Sequence, residues 1–244
     1  MSRPGRYPVP RLESAGLDGW LVRLFDEIDE ANLAWLEALM AACEASLGEA
    51  LIDLVPSYTT LLVCFDPLRL EGGEARRRLL AILAELKPRE NDAESAPLKA
   101  LPVWYDEAVG PELSRLAEGF AGDIAAVIRA HTQAEYRVFA LGFAPGFAFM
   151  GRLPASLEAP RLATPRRRVP AGSVAVAGRQ TAAYPVASPG GWNLLGRTPV
   201  ALFDRHRDGY SLLAVGDRVR FEAVDRETFI ELGGDPTPMA EEGA

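Results

Sequence analysis

Residues 141–204 carry three segments that combine glycine, proline, arginine and aromatic residues: GFAPGF at 142–147, PRRRVPAGSV at 165–174 and SPGGWNLLGRTP at 188–199. Glycine permits close backbone approach and positive φ, proline fixes φ, and arginine presents a planar fork of five donors. Rigid segments of this composition suit a pre-formed pocket for an anionic or amide ligand. We therefore predict that the function resides in this part of the chain.

Short strands separated by turns surround these segments. Alternating and apolar runs predict strands at 137–143, 173–177, 182–187, 194–203 and 218–223. A further strand is predicted at 101–105. Many short strands in succession are typical of a β-barrel or a β-sandwich.

Two helices are predicted between the strand at 101–105 and the strand at 137–143. Pro111 suits the first turn of a helix, and Asp123 is placed to cap a second one. In that second helix, Ile124, Val127, Ile128 and His131 follow helical spacing on one face. His131 is therefore expected to point inward.

The first hundred residues show an alternating α+β pattern. Asp29 is placed to cap a helix that Gly48 ends, and its apolar positions Leu33, Leu36, Met40, Cys43 and Leu47 follow helical spacing. A second helix is predicted at 74–86. Strands are predicted at 11–14, 20–25, 50–55 and 59–65. This order of elements predicts a ferredoxin-like α/β sandwich.

A polar segment without periodicity, residues 87–97, is the predicted linker between two domains. We expect an N-terminal α+β domain at 1–92 and a β-barrel domain at 98–232. The acidic residues 233–244 are expected to form a disordered tail.

Composition restricts the class of protein. The chain has 244 residues, 48% hydrophobic content and a formal net charge of -8, which disfavours a general nucleic-acid binder. No window reaches the apolar length of a membrane span, and residues 1–10 lack the apolar core of a secretory signal. We expect a cytoplasmic protein without a membrane partner, in which Cys43 and Cys64 are buried apolar residues.

Several catalytic devices are absent from the sequence. It contains no GxxxxGK[ST] loop for ATP phosphates and no GxSxG nucleophile motif. His131 and His206, with two isolated cysteines, make no plausible zinc set, so no metal site is predicted. The chain is not an obvious self-sufficient enzyme.

The motifs nevertheless resemble, in order, those of the 5-oxoprolinase B-subunit family, also called allophanate hydrolase subunit 1, which includes the sporulation-kinase inhibitor proteins. The resemblance runs from His131-Thr132 and Tyr136 through the three segments to Gly216-Asp217. Small departures include Ala182-Ala183 before Tyr184 and Asn193 after the tryptophan. The N-terminal half is similar more loosely, with a good match at 55–59.

This resemblance implies a cyclophilin-like β-barrel and an enzyme subunit that is inactive alone. Members act with a homologous C-type 5-oxoprolinase subunit, which is allophanate hydrolase subunit 2-like, and with a third protein of the A type. Together they hydrolyse 5-oxoproline to glutamate at the expense of ATP with Mg²⁺. Phosphorylation of the lactam oxygen would turn a resonance-stabilised amide into an electrophile that water can attack.

Arginine forks and glycine-rich turns supply donors for the phosphates and the substrate carboxylate. We expect catalytic roles for His131, Arg166 and Arg197. The residues expected to bind substrate or ATP are Gly142, Phe143, Pro145, Gly146, Arg161, Arg168, Gln180, Tyr184, Gly190, Gly191, Trp192 and Thr198.

Each role has a structural alternative. His131, near a helix C-terminus that favours a protonated ring, is either a general acid or base or a packed core histidine. Residues 166–168 could be a solvated loop, and the aromatic residues, Tyr184 and Gln180 could serve only the barrel. The functional alternatives are a regulator that inhibits a sensor histidine kinase and an enzyme subunit that acts on allophanate or a related urea-derived amide.

Overall fold

The computed structural model describes residues 9–89 and 98–239. These two stretches belong to two separate compact units. Most of the predicted linker, residues 90–97, lies outside the described residues. Within the described stretches, no helix combines the length and hydrophobicity needed to cross a lipid bilayer.

The first unit is a four-stranded antiparallel sheet with two helices. Its elements are β1 (Arg11–Ser14), β2 (Gly19–Arg23), α1 (Ala31–Leu47), a 3₁₀ turn (Gly48–Ala50), β3 (Leu51–Pro56), β4 (Thr60–Phe65) and α2 (Gly72–Glu85). The strand order is β1-β2-β4-β3. Apolar residues of α1, α2, β2 and β4 form one core.

The sequence predicted the strand and helix positions of this unit closely. Asp29 bonds the start of α1, although through the amide of Ala31 at 3.0 Å and from outside the cap position, which Glu30 occupies. Cys43 is buried as expected, whereas Cys64 is only partly buried. A ferredoxin-like fold has the element order β-α-β-β-α-β. Here β2 to α2 supply β-α-β-β-α, but the remaining strand, β1, precedes this part instead of following it, so the ferredoxin-like assignment stays a prediction.

The second unit contains a closed seven-stranded barrel and a separate two-stranded ribbon. Its helices are α3 (Leu113–Ala117), α4 (Ile124–Thr132) and α5 (Arg226–Glu231), with 3₁₀ turns at Glu118–Phe120 and Ala155–Leu157. Its strands are β5 (Leu98–Trp104), β6 (Tyr136–Leu141), β7 (Ala148–Gly151), β8 (Arg166–Val169), β9 (Ser173–Ala177), β10 (Gln180–Ala183), β11 (Ser188–Gly190), β12 (Asn193–Arg197) and β13 (Arg218–Val224).

The barrel closes in the order β10-β7-β6-β13-β5-β12-β9, and β8 pairs with β11 in the ribbon. All neighbouring strands are antiparallel except β5 and β13. Asp123 caps α4 as predicted, since its carboxylate accepts from the Ala126 amide at 3.0 Å. The closed strand order confirms the predicted barrel. That the barrel is cyclophilin-like stays an expectation from the family resemblance.

Alternation along β9 separates the inside of the barrel from its outside. Val174 and Val176 belong to the barrel core, whereas Ala175 and Ala177 pack in a second apolar cluster. That second cluster includes Val169 of the ribbon, so β8 packs on the outside of the barrel. We call this side of β9 and β12 the outer face.

The C-terminal segment corrects the prediction of a disordered tail for residues 233–239. Arg197 donates to the carbonyl oxygens of Asp235 and Thr237, and the Met239 amide donates to the Ala108 carbonyl at 2.7 Å. Composition alone predicted disorder, because the buried cation that holds the segment is distant in sequence. Residues 240–244 lie outside the described part of the chain.

Candidate functional site

The three motif segments meet on the outer face, around a cluster of aromatic rings. Phe147 contacts Tyr184 edge to face, with centroids 5.3 Å apart, and contacts Trp192 at 5.9 Å and 90°. All three side chains are almost fully buried. They form an apolar floor, and their packing supports the barrel at the same time.

A buried ion pair lies beside this floor. Arg166 Nη2 donates to Glu112 Oε1, and Glu112 Oε2 accepts from the Leu194 amide at 2.8 Å. The Arg166 and Glu112 side chains are 16% and 9% exposed. Arg166 Nη1 is buried and has no hydrogen-bond partner among the described residues. Arg166 therefore keeps one donor for a further acceptor.

The Tyr184 hydroxyl lies against Gly190 of the ribbon and within the electrostatic influence of two arginines. Gly190 lies so close that a Cβ there would overlap the hydroxyl oxygen, which explains why this position carries no side chain. Burial raises the pKa of Tyr184, whereas Arg161, a bond with the Trp192 backbone and Arg166 act in the opposite direction. The phenol stays protonated at neutral pH and can donate a hydrogen bond.

Arg161 is exposed at the edge of the floor. Its guanidinium carbon lies 5.9 Å from the centroid of the Trp192 ring, within the range of a cation–π contact. Asn193, the residue that departs from the family pattern, donates to the Pro160 carbonyl at 3.0 Å and so anchors the loop that carries Arg161. Arg161 can thus be presented to an anion from a fixed loop.

Arg197 lies on the same outer face and is only 3% exposed. Its Nη1 donates to the Asp235 and Thr237 carbonyls at 2.7 and 2.8 Å. Its Nε and Nη2 are buried without hydrogen-bond partners in the described chain, as is the hydroxyl of Ser173. Burial lowers the pKa of Arg197 from its ordinary value and Asp235 opposes the shift, yet an arginine remains protonated at neutral pH.

His131 occupies a different place, inside the unit. Its ring is fully buried and stacks on Phe221 with centroids 4.5 Å apart. Nδ1 lies 2.7 Å from the Tyr105 hydroxyl and Nε2 lies 2.9 Å from Thr181 Oγ1. Burial lowers the pKa of His131 to about 3.

The hydrogen bonds of His131 define its tautomer. Thr181 Oγ1 donates to the Ala175 carbonyl at 3.1 Å, so it accepts from His131 Nε2–H, and Nδ1 accepts from the Tyr105 hydroxyl. A neutral, fully bonded ring does not fit the protonated acid that the helix C-terminus predicted. The packed core histidine, the alternative interpretation of the sequence, describes this geometry.

The remaining candidates divide between the barrel and the surface. Gly142, Phe143 and Pro145 are exposed, and Phe143 is 66% exposed with φ of 68°. Arg168 is exposed and does not join the buried group. The other candidates contribute to backbone packing: Gly146, Gln180, Gly191 and Thr198. A Cβ at Gly146 would lie 2.9 Å from the Leu202 carbonyl oxygen, and Gln180 pairs with Ala177 across β10 and β9. The Gly191 carbonyl accepts from the Leu162 amide, and the Thr198 amide donates to the Gly172 carbonyl.

The outer face therefore offers cationic donors and a phenol beside an apolar floor, which suits a small oxyanion with an amide or ring. No sequence motif pointed to Glu112 as the partner of Arg166 or to the place of Ser173 opposite Arg197. Within the described residues, no three His, Cys, Asp or Glu side chains gather closely enough to hold a metal ion.

Comparison with known proteins identifies the class. Residues 10–213 match the family described as carboxyltransferase domain, subdomain C and D. The chain is 33% identical over 233 residues to the 5-oxoprolinase B subunit of Bacillus subtilis, covering 90% of this chain and 95% of that protein. It is 39% identical over 173 residues to the 5-oxoprolinase B subunit of Escherichia coli O157:H7, covering 70% and 77%. The chain belongs to the 5-oxoprolinase B-subunit family.

Solved structures show the same fold. The TTHA0988 structure has 39% identity and a TM-score of 0.74 over 91% of this chain, which spans 41% of the TTHA0988 chain. PH0987 of Pyrococcus horikoshii has 36% identity and a TM-score of 0.54, covering 90% of this chain and all of its own. Urea amidolyase of Kluyveromyces lactis shares the fold at 19% identity and a TM-score of 0.74 over 94% of this chain, which spans 16% of that enzyme.

Proposed function

We propose that this protein is a subunit of an ATP-dependent 5-oxoprolinase that hydrolyses 5-oxo-L-proline to L-glutamate. The observation that carries the proposal is the set of buried guanidinium donors of Arg166 and Arg197 on one face of the barrel, beside the aromatic floor. The names of the relatives from Bacillus subtilis and Escherichia coli support the choice of substrate.

The reaction needs an activated lactam. Transfer of the γ-phosphoryl group of ATP to the lactam oxygen gives a phosphorylated imidate; water then attacks the ring carbon, the carbon–nitrogen bond breaks, and phosphate and glutamate leave. Charge develops on oxygen atoms throughout, so fixed cationic donors stabilise these species. Mg²⁺ accompanies the nucleotide as part of the substrate.

The residues of this chain bind and orient in the proposed scheme. Arg166, fixed by Glu112, keeps its Nη1 for a substrate or phosphate oxygen. The Tyr184 phenol donates to the lactam, and Arg161 meets the more exposed, phosphate-bearing end. The aromatic floor excludes water from the ring carbon until the lactam is activated.

His131 acts as a positioning residue rather than as the acid. Its bond to Thr181 links α4 to β10, the strand that precedes Tyr184. Because the ring is neutral and both nitrogens are bonded inside the core, it supports the barrel behind the outer face. We propose this positioning role in place of the catalytic role expected from the sequence.

Other subunits complete the enzyme in this proposal. The relatives are designated B subunits, which implies a complex, and we assign the partners as a homologous C-type subunit, which is allophanate hydrolase subunit 2-like, and an A-type protein. More than half of the TTHA0988 chain lies outside the region similar to this protein. We propose that the chain alone is inactive and that the complex works in the cytoplasm, where ATP is supplied.

The experiment is an assay of ATP-dependent glutamate release from 5-oxo-L-proline, with this chain purified alone and mixed with the proteins encoded beside it. We expect activity only in the mixture that contains all subunits and ATP. Omission of this chain serves as the control. Folded, associated subunits that release no glutamate would contradict the proposal; parallel assays with allophanate and with a sensor histidine kinase would then test the two alternatives.

A further inference from the structure

Arg197 is oriented so that one edge of its guanidinium has no partner in the described chain. Nη1 is held by two carbonyl oxygens, of Asp235 and Thr237, at 2.7 and 2.8 Å. The other two donors, Nε and Nη2, lie side by side on the opposite edge and are buried without partners. This edge is the one that matches the two oxygen atoms of a carboxylate.

Ser173 lies directly opposite Arg197 on the neighbouring strand. Arg197 and Ser173 are cross-strand partners of β12 and β9, so their side chains project from the same face of the sheet. Ser173 is fully buried, and its hydroxyl has no hydrogen-bond partner among residues 9–89 and 98–239. Three buried polar groups without partners thus belong to two residues that face each other on the outer face.

The neighbouring backbone leaves no room for a larger residue. Gly172 has φ of 80°, and a Cβ there would overlap the Thr198 carbonyl and lie 3.2 Å from Arg197 Cγ. The Gly172 carbonyl in turn accepts from the Thr198 amide at 2.8 Å. These contacts fix Arg197 and Ser173 relative to each other, because Gly172 directly precedes Ser173 in the chain and Thr198 directly follows Arg197.

We propose that Ser173 and the Nε/Nη2 edge of Arg197 form a binding site for the carboxylate of a small molecule. A buried donor without an acceptor costs free energy, and a carboxylate supplies acceptors for all three groups at once. A phosphate would bring a third and fourth oxygen for which this spot offers no further donor.

The choice of ligand rests on the proposed function, in which the carboxylate is that of 5-oxo-L-proline. Tyr184 connects the two parts of the outer face, since its amide donates to the Ser173 carbonyl at 2.9 Å. The carboxylate would bind at Arg197 and the lactam would extend toward Tyr184 and Arg166. The two donors of Arg197 and the Ser173 hydroxyl are buried, so binding requires a local movement of the residues packed against them.

The test measures equilibrium binding to the full chain without its partners, by isothermal titration calorimetry. We expect 5-oxo-L-proline to bind, and 2-pyrrolidinone, which has the same lactam but no carboxylate, to bind at least tenfold more weakly. Inorganic phosphate should bind more weakly than 5-oxo-L-proline. Equal binding of the two lactams, tighter binding of phosphate, or no binding of any probe would overturn the assignment.

Two variants locate the site. Arg197→Lys keeps the charge but loses the side-by-side donors, and Ser173→Ala loses the hydroxyl; we expect affinity to fall about tenfold or more and about three- to tenfold, respectively. Arg205→Lys, an exposed position, is the matched control and should bind like the parent. If Arg197→Lys does not fold, the affinity of Ser173→Ala alone decides. Unchanged affinity in Ser173→Ala, and also in Arg197→Lys if that variant folds, would place the carboxylate elsewhere.

The binding test and the activity assay can each contradict one proposal without contradicting the other. Carboxylate-dependent binding with no glutamate release in the complete mixture would leave this site in place and contradict the proposed reaction. Glutamate release with no carboxylate discrimination by this chain would do the reverse.

Discussion

Glu112, which precedes α3, and Arg166, at the start of β8, form an ion pair that joins the ribbon to the barrel. One carboxylate oxygen accepts from Arg166 Nη2, and the other accepts from the Leu194 amide of β12 at 2.8 Å. A single side chain therefore fixes both the guanidinium and a barrel strand. This relationship makes Glu112 as important to the outer face as the arginine it holds.

Replacement of Glu112 by glutamine tests this role. The amide can still accept from Leu194, but it leaves the Arg166 charge largely buried without a counter-charge. We expect the free energy of unfolding to fall by about 2–3 kcal/mol, somewhat less than for a fully buried pair because Arg166 is 16% exposed. Urea denaturation followed by tryptophan fluorescence measures the change.

A more solvent-exposed carboxylate in the same unit provides the control. Glu135 pairs with Arg218, and their side chains are 32% and 20% exposed. Glu135→Gln should cost only about 0.5–1 kcal/mol. Equal losses in the two variants would show that Glu112 is not a special support of the outer face.

The neutral state of His131 predicts a pH dependence of stability. Its folded pKa of about 3 lies below the ordinary value of 6.5, so between these values the unfolded chain binds a proton that the folded chain does not. This contribution is complete above about pH 6.5 and is lost as the pH falls toward 3. The expected slope is up to about 1.4 kcal/mol per pH unit.

His131→Asn isolates that contribution. We expect the variant to be less stable at pH 7, because it loses ring packing and at least one buried hydrogen bond. The part of the acid dependence that belongs to His131 should disappear, while turnover per folded molecule in the complex is retained. A loss of about 10²-fold in turnover with unchanged stability would instead restore the acid–base role.

Local chemistry explains what could be predicted from the sequence. The cap at Asp123 and the inward direction of His131 follow from spacing within one helix, and both are present. Glu112 and Arg166 are 54 residues apart, and Arg197 and Asp235 are 38 apart. Such pairs depend on the order of strands in the barrel, which no local pattern specifies.

The same argument explains the error about the tail. An acidic segment with two prolines has the composition of a disordered terminus. The buried guanidinium of Arg197, which bonds two of its carbonyl oxygens, and the bond from the Met239 amide to Ala108 override that tendency. An arginine aimed only at a ligand would be dispensable for folding. Arg197 both lies on the outer face and holds residues 235–237, so it serves structure and binding together.

Arg166→Lys tests the proposed reaction within the assembled complex. Lysine keeps the positive charge for Glu112 but cannot hold the carboxylate with one nitrogen and present another to a substrate. We expect kcat/KM for 5-oxo-L-proline to fall about 10²-fold, in the range for loss of one oxyanion donor. Arg205→Lys, which keeps an exposed cation, should retain full activity; parental kcat/KM in Arg166→Lys would remove Arg166 from the site.

Gly190 and Tyr184 offer a test of the geometry that needs no activity. A methyl group at Gly190 would overlap the Tyr184 hydroxyl and lie 2.9 Å from Cζ, so we expect Gly190→Ala to cost about 1–3 kcal/mol of unfolding free energy. Adding Tyr184→Phe removes the nearest atom and should recover part of that loss. Gly119→Ala, where no atom lies within 4 Å of the new Cβ, should change stability little. If the second substitution recovers nothing, the phenol is not what excludes a side chain at position 190, and its proposed place beside Arg166 would have to be abandoned.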